Sequence, residues 1–263
     1  PRNYIVGGGF FLKFSLLPSS LAWEAFGIAN GANSLSELNE RVYKYKNTNR
    51  FLDPDPQIGC IILSKPFFFK EYDWIPVPSN WNNSIQQGKI YDTSEYYGKL
   101  LYEQVQKRIK YQNLKDEIFR ERSNYNIEQK RYGKEQIIKP RLGQGSFKVL
   151  ITEVYHRRCA VTGEKTLPVL EAAHIKPYSL GGPHEINNGI LLRRDYHALF
   201  DRGYITIDKN YNIEVSRRIK EDFGNGKEYY AHHGKKLCIL PDRKELLPSP
   251  TFLEWHNENI FLG

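Results

Sequence analysis

Short segments of alternating hydrophobic and polar positions, bounded by glycine and proline, fill the N-terminal part of the chain. Two of them, "NYIVGGGFFLKFS" at 3–15 and "QIGCIILSKPFFFKEYDWIPVP" at 57–78, are rich in aromatic and β-branched residues and predict strands. Between them, "SLAWEAFGIANG" at 20–31 and "SLSELNERVYKYKN" at 34–47 predict helices. Strands and helices without a regular βαβ repeat favour an α+β segment with a mostly antiparallel sheet.

A helical period follows over residues 94–122. Leu100, Leu101, Val105 and Ile109 recur there at steps of three and four residues, which predicts one apolar face. Basic side chains occupy the positions between them.

Glycine and proline interrupt residues 124–145, a pattern that predicts a linker or surface loop. A chain of 263 residues lies at the top of the single-domain range. We therefore expect an N-terminal domain at 1–123 and a second domain at 146–263.

The second predicted domain begins with a helix at 146–158. "CAVTGEKTLPVLEAAHI" at 159–175 predicts a hairpin with its turn at Thr162 and Gly163, and "YITIDKNYNIEVS" at 204–216 predicts another. Between the two hairpins, a polar loop leads into an apolar segment and a helix, "ILLRRDYHALFDRG", that ends at a glycine.

The net charge of +8 changes the picture, because an excess of lysine and arginine at this level indicates a polyanionic partner. Nucleic acid is the commonest such partner. The alternative is a basic protein that binds no polyanion, and composition does not decide between the two.

The three cysteines, Cys60, Cys159 and Cys238, are far apart and form no CxxC pair. This pattern disfavours a disulfide framework and a cysteine-built zinc site, and it favours a reducing, cytoplasmic location. No apolar run approaches the roughly 18 residues that a membrane-spanning helix needs. We expect no membrane partner, and we interpret the apolar N-terminal stretch as folded sequence and not as a signal peptide.

The segment from Leu170 to Asp201 holds three of the seven histidines. Its order is a strand closed by His174, a loop that ends at Asn188, and a helix that carries His197 and, one turn later, Asp201. Taken singly, each residue has an ordinary explanation as a core histidine, a turn asparagine or a surface pair. Their joint spacing favours a site. His184, in the loop, and the remaining histidines are interpreted as non-catalytic; the latter are His156, His232, His233 and His256.

This part of the chain resembles the HNH (ββα-metal) nucleases of the restriction-endonuclease type. Four segments carry the resemblance, "RLGQGSFK", "CAVTG", "AAHIKPYSLGGPHEINNGILL" and "HALFDRG". The resemblance covers roughly residues 146–208. It implies a ββα-metal nuclease domain that hydrolyses double-stranded DNA with a divalent metal ion, Mg²⁺ or Mn²⁺. The catalytic residues would be His174, Asn188 and His197.

Elementary chemistry supports these roles. Phosphodiester hydrolysis needs a base for water, a Lewis acid at the phosphate and a rigid frame. A neutral imidazole at His174 is a suitable base, and the amide of Asn188 can tie the loop to the strand. His197 can bind the metal through a ring nitrogen.

The chain departs from the family pattern at Ala173, where many HNH nucleases have an aspartate that binds the metal. Either a metal ligand is then missing, or Glu171 or Asp201 supplies it beside His197. Only Cys159 lies nearby, so we expect no structural zinc and a core built by apolar packing. The predicted core residues are Val149, Ile151, Val154, Leu170, Ile190 and Leu199.

Basic residues flank the motif, and we expect them to contact DNA phosphates, although a solvated basic face would have the same sequence. They are Arg157, Arg158, Lys176, Arg193 and Arg194.

The N-terminal domain resembles the N-terminal parts of predicted restriction endonucleases and, loosely, the PUA superfamily (EVE type), whose folds are small mixed barrels. The resemblance implies a DNA-targeting domain, in which a flipped base would stack on aromatic faces. Trp23, Phe26, Trp74 and Trp81 are the candidates. The alternative is that these aromatic rings form the core.

The sequence therefore predicts a metal-dependent restriction endonuclease. Its target would be either DNA that contains modified cytosine or a specific sequence in unmodified DNA. The alternative is a DNA-binding module with a decayed nuclease domain. A double-strand cut by a chain with one motif would favour a homodimer.

Overall fold

The computed structural model describes residues 3–82, 88–123 and 143–263, with the backbone alone for 113–123. The first half contains, in chain order, β1 (Tyr4–Ile5), β2 (Gly7–Pro18), α1 (Ser19–Phe26), α2 (Leu35–Lys46), β3 (Gln57–Phe68), β4 (Ile75–Pro76) and α3 (Tyr96–Ser123). The second half contains α4 (Gln144–Val154), β5 (Leu170–His174), β6 (Gly189–Arg193), α5 (Arg194–Asp201), β7 (Ile205–Ile207), β8 (Ile213–Val215), α6 (Arg218–Phe223), α7 (Lys227–Tyr230) and α8 (Pro250–Asn259).

The chain divides into two compact units. The smaller unit combines Pro1–Phe11 with Lys65–Lys139, and the larger unit combines Leu12–Ser64 with Pro140–Gly263. Residues 12–64 thus pack with the C-terminal region, whereas the sequence assigns them to a separate N-terminal domain. The predicted linker lies almost wholly outside the described residues, and the boundaries at 123 and 146 stay predictions.

The strands form four two-stranded sheets, β1–β4, β2–β3, β5–β6 and β7–β8. The mixed strand-and-helix class is confirmed. The described residues form no closed barrel, however, so the predicted barrel-like, PUA-like domain is not confirmed. Closure needs a continuous ladder of staggered strands, and β1 and β4 pair over two residues each.

Local sequence explains α2. The Ser34 hydroxyl accepts a hydrogen bond from the Glu37 amide at 3.1 Å, and the Glu37 carboxylate accepts one from the Asn33 amide at 2.8 Å. The first bond caps an amide that the first turn leaves without a helical partner, and the second ties the residue before the cap to the helix. The helix ends at Asn47, which adopts the left-handed conformation with φ 51°.

The core of the larger unit lies between α4 and the β5–β6 hairpin. The two strands pair in antiparallel register from Leu170 opposite Arg193 to His174 opposite Gly189. Gly189 is required here, because a Cβ atom would lie 2.4 Å from the Ile151 side chain. Of the predicted core residues, Val149, Ile151, Leu170 and Ile190 are buried, and Val154 and Leu199 are partly buried.

The predicted hairpin at 159–175 is wrong. Residues 159–164 form a closed turn, in which the Cys159 amide donates to the Glu164 carbonyl and the Gly163 amide donates to the Cys159 carbonyl, both at 2.9 Å. β5 instead pairs with β6 across the polar loop. The predicted hairpin at 204–216 is confirmed by β7 and β8.

All three cysteines are free thiols. Within the described ranges, no helix combines the length and the apolar character that crossing a membrane would require.

Candidate active site

His174 closes β5 and faces a cleft of the larger unit. Its ring stacks on Phe147 of α4 with centroids 3.9 Å apart and an interplanar angle of 9°. Burial, and then the positive charges that His184 and His197 would carry, lowers the pKa of His174 to about 4. The imidazole is therefore neutral near pH 7, with its ring plane fixed by the helix behind it.

His184, which the sequence analysis leaves without a role, is the partner of His174. Its Nδ1 lies 2.9 Å from His174 Nε2, and its ring stacks on Tyr178 at 4.5 Å. The Gly181–Gly182 turn makes this contact possible, because Gly181 has φ +80° and a Cβ on Gly182 would lie 1.8 Å from the Lys176 carbonyl. In the sequence, the adjacent Gly181 and Gly182 are the signal that this loop turns back towards the strand.

Asn188 is fully buried and joins both sides of this loop. Its Oδ1 accepts from the Lys176 amide at 2.9 Å, and its Nδ2 donates to the carbonyls of Lys176 at 3.0 Å and Pro183 at 2.8 Å. Three hydrogen bonds from one buried amide fix the loop that carries His184. The geometry agrees with the role of a loop clamp.

His197 lies on α5 between two carboxylates. Its Nδ1 is 2.8 Å from Glu171 Oε2, and its Nε2 is 3.3 Å from Asp201 Oδ2. Arg194 Nε donates to the other Glu171 oxygen at 2.8 Å. Burial alone would raise the pKa of Glu171, but the hydrogen bonds and charges of His197 and Arg194 bring it below its usual value.

One cleft, with a volume of about 690 Å³, is shared by His174, His197 and the carboxylates of Glu171 and Asp201. Its walls come from α1, α4, β5, the loop after β5, and α5. The lining residues are Glu24, Ala25, Gln144, Gly145, Phe147, Lys148, Glu171, Ala172, His174, Pro177, Tyr178, His197 and Asp201.

The side chains around the cleft offer imidazole nitrogens and carboxylate oxygens as metal donors. Among the described residues, no group of three or more His, Cys, Asp or Glu side chains is arranged as a metal site. The donor types nevertheless fit a divalent ion, since imidazole and carboxylate suit Mg²⁺ and Mn²⁺. Ala173 has no carboxylate to offer a metal ion, and its side chain is fully buried in the core.

The five predicted DNA-binding residues differ in their surroundings. Arg157 donates to the Leu16 carbonyl at 2.6 Å and pairs with Glu153, and Arg193 forms a two-pronged pair with Asp195 at 2.7 Å. Intramolecular partners thus hold both guanidinium groups.

The other three predicted DNA-binding residues have fewer intramolecular contacts. Arg194 has a side chain that is 60% exposed, and the Lys176 ammonium lies 5.2 Å from the centre of the Trp255 ring. Arg158 is half-buried, with an Nε that has no hydrogen-bond partner. None of the five lines the cleft.

The candidate base-pocket residues are divided between the units. Trp23 and Phe26 belong to α1 in the larger unit, whereas Trp74 and Trp81 belong to the smaller unit, and all four are half-buried. Trp74 donates from Nε1 to the Phe69 carbonyl at 3.0 Å. Phe26 packs beside the small core cluster around Leu21. Both rings therefore contribute to packing, and the base-binding role stays a prediction.

A comparison with protein families identifies the region around this cleft. Residues 159–208 match the model of the HNH endonuclease family, and the matched segment includes His174, Asn188, His197 and Asp201. This segment is an HNH endonuclease domain. The predicted resemblance is confirmed over these residues, and the chain contains a nuclease domain of the HNH class.

A solved "Modification dependent TagI restriction endonuclease" is similar over 43% of this chain and 37% of that chain, with 20% identity and a TM-score of 0.31. The chain thus matches little more than a third of that enzyme. No curated protein matches the sequence.

Proposed function

We propose that this chain is a metal-dependent DNA endonuclease of restriction defence. The observation that carries the proposal is the meeting of His174, from the end of β5, and His197, from α5, in one cleft of the HNH domain. Double-stranded DNA is the substrate that fits a nuclease with a net charge of +8.

His174 is the base in this proposal. Its Nε2 is engaged by His184, which leaves Nδ1 to accept a proton from a water molecule. With Nε2 protonated, the acceptor in that contact is His184 Nδ1, so the pair fixes the tautomer of His174. A pKa of about 4 keeps the base unprotonated at neutral pH.

His197 Nε2 and Asp201 would hold the divalent ion. Glu171 has both oxygens engaged, by His197 Nδ1 and Arg194, and therefore orients the His197 ring instead of serving as the ligand that the sequence suggests. The ion, when bound, stabilises negative charge at the scissile phosphate.

Targeting of DNA belongs to residues outside the cleft. Arg194, Lys176 and Arg158 are proposed phosphate contacts. Arg157 and Arg193 are each held by two intramolecular partners, whereas Arg194 pairs with Glu171 alone and has a side chain that is 60% exposed. A PUA-like base pocket built on Trp23, Phe26, Trp74 and Trp81, specificity for modified cytosine, and action as a homodimer in the cytoplasm are further parts of the proposal.

The test is cleavage of supercoiled plasmid with Mg²⁺, Mn²⁺ or EDTA. The same plasmid is supplied unmodified, with 5-methylcytosine and with 5-hydroxymethylcytosine. We expect metal-dependent cleavage of at least one form, and the preferred form assigns the target. Binding without cleavage of any form would support the alternative, a DNA-binding module with a decayed nuclease domain, which Ala173 favours.

A further inference from the structure

Lys148 is the one Lys or Arg among the described residues that line the cleft. We propose that Lys148 is a phosphate-binding residue of the active site, and that Glu24 holds its ammonium group in the free enzyme and competes with DNA for it. The inference rests on the proposed nuclease function and assigns a role to two residues outside the HNH domain.

Lys148 and His174 line the same cleft. Lys148 follows Phe147, the residue on which His174 stacks, and its side chain is 19% exposed. A phosphate bound by the Lys148 ammonium would therefore lie in the cleft that holds the group proposed to activate water.

The partner of Lys148 comes from α1, distant in sequence. Glu24 forms an ion pair with the Lys148 ammonium, and its own side chain is 53% exposed. The two helices approach closely at Gly145, where a Cβ atom would lie 2.0 Å from the Ala25 carbonyl. This close packing brings Glu24 to the cleft.

The cleft carries more acidic than basic side chains. Glu24, Glu171 and Asp201 all line it, so a phosphodiester entering the cleft meets three carboxylates. The five basic residues that flank the motif in sequence do not line the cleft. Among the described residues, Lys148 is therefore the lining side chain that can offer a permanent positive charge to the scissile phosphate besides a metal ion.

A purely structural role is the competing explanation, in which the ion pair simply ties α1 to α4. The two explanations differ in sign. If the pair is only a tie, removing either partner has the same effect on stability and cleavage. If Lys148 binds phosphate, Lys148→Ala weakens DNA binding and cleavage, whereas Glu24→Gln releases the ammonium and strengthens binding.

The experiment uses the full chain with four substitutions, Lys148→Ala, Lys148→Arg, Glu24→Gln and Lys13→Ala. Lys13 pairs with Glu153 at 3.2 Å outside the cleft, so Lys13→Ala removes the same charge and a comparable ion pair. Cleavage is measured on plasmid with Mg²⁺. Binding is measured on a labelled plasmid-derived duplex in EDTA, with each substitution in a His174→Ala background, and melting temperatures are recorded.

We expect Lys148→Ala to lower the cleavage rate on the order of 10- to 100-fold relative to Lys13→Ala, with Lys148→Arg intermediate. Glu24→Gln should tighten binding about two- to fivefold. The salt dependence of binding should weaken by about one phosphate contact in Lys148→Ala.

Equal losses of cleavage and of melting temperature in Lys148→Ala and Glu24→Gln would overturn the inference. So would a Lys148→Ala variant that cleaves and binds like Lys13→Ala while the wild type is active. A wild type that cleaves no plasmid form would overturn the nuclease proposal instead, and the binding comparison would still decide whether Lys148 meets phosphate.

Discussion

His174, at the end of β5, and His256, in α8, lie in two regions of the larger unit and stack on a phenylalanine ring in nearly the same geometry. His174 stacks on Phe147 at 3.9 Å and 9°, and His256 stacks on Phe200 at 3.8 Å and 11°. In both residues the largest cause, burial, lowers the pKa to about 4.

The two imidazoles differ in what surrounds their nitrogens. His256 is 2% exposed, with Nδ1 2.8 Å from the Thr206 hydroxyl and Nε2 3.1 Å from the Phe200 carbonyl. His174 lines the cleft, and its one hydrogen-bonded nitrogen faces another histidine. A depressed pKa and a stacked ring therefore do not make a base. Access to the cleft and an available nitrogen do.

Among the groups around the proposed base, the largest effect is expected at His197, the second histidine that lines the cleft. His197→Ala should lower metal-dependent cleavage on the order of 10³-fold, because the ion loses a ring-nitrogen ligand. Glu171→Gln, which keeps His197 and alters only its partner, should cost about 10- to 100-fold. Rates on plasmid at several Mg²⁺ concentrations measure both. Equal rates in the two variants and the wild type would contradict the metal assignment.

Substitution of Asn188 tests whether the region around His174 depends on a rigid loop. Asn188→Ala leaves the Lys176 amide and two carbonyls without their partner and should lower the free energy of unfolding by about 2–4 kcal/mol. The neighbouring Asn187 is the matched control, because its buried Oδ1 has no hydrogen-bond partner. Asn187→Ala should change stability by less than about 0.5 kcal/mol in urea unfolding. Similar losses in both variants would refute the clamp.

The buried His256 should make the free energy of unfolding depend on pH. Because the pKa of His256 is about 4 in the folded chain against a reference of 6.5, the unfolded chain binds more protons between these values. His256 alone should then remove about 2 kcal/mol of stability as the pH falls from 7.5 to 5, with no effect above pH 7.5. Urea unfolding of the wild type and of His256→Gln at both pH values measures this share. An identical loss in both would contradict it.

His184 gives the smallest of these effects and sharpens the comparison most. His184→Ala should slow cleavage by about tenfold, because His174 loses the contact that fixes its tautomer. His184→Asn, whose side-chain oxygen can accept a hydrogen bond from His174 Nε2, should recover most of the rate. Failure of Asn to perform better than Ala would remove the tautomer argument.

Sequence spacing predicted the part of the site that lies within one continuous segment. His174, Asn188, His197 and Asp201 fall between Leu170 and Asp201, where strand and helix periods fix their relative positions. Glu171 was identified as a metal candidate, and its contacts with His197 and Arg194 indicate an orienting role.

Contacts over long sequence separations were not predicted. Glu24 reaches Lys148 only because α1 packs on α4, and no periodicity within either helix encodes that pairing. The partner of β5 was missed for a related reason, since a nearby turn at Gly163 competed with the more distant β6. The basic residues show the same limit, because sequence places Arg193 beside the motif but does not show its pair with Asp195.

The central claim is that His174 is the base, and the most direct measurement compares cleavage and DNA binding in His174→Ala with those in His256→Gln. We expect His174→Ala to lose plasmid cleavage by on the order of 10³-fold or more and to bind duplex DNA nearly as the wild type does. We expect His256→Gln, below its melting temperature, to cleave at close to the wild-type rate. Full cleavage by His174→Ala would contradict the account.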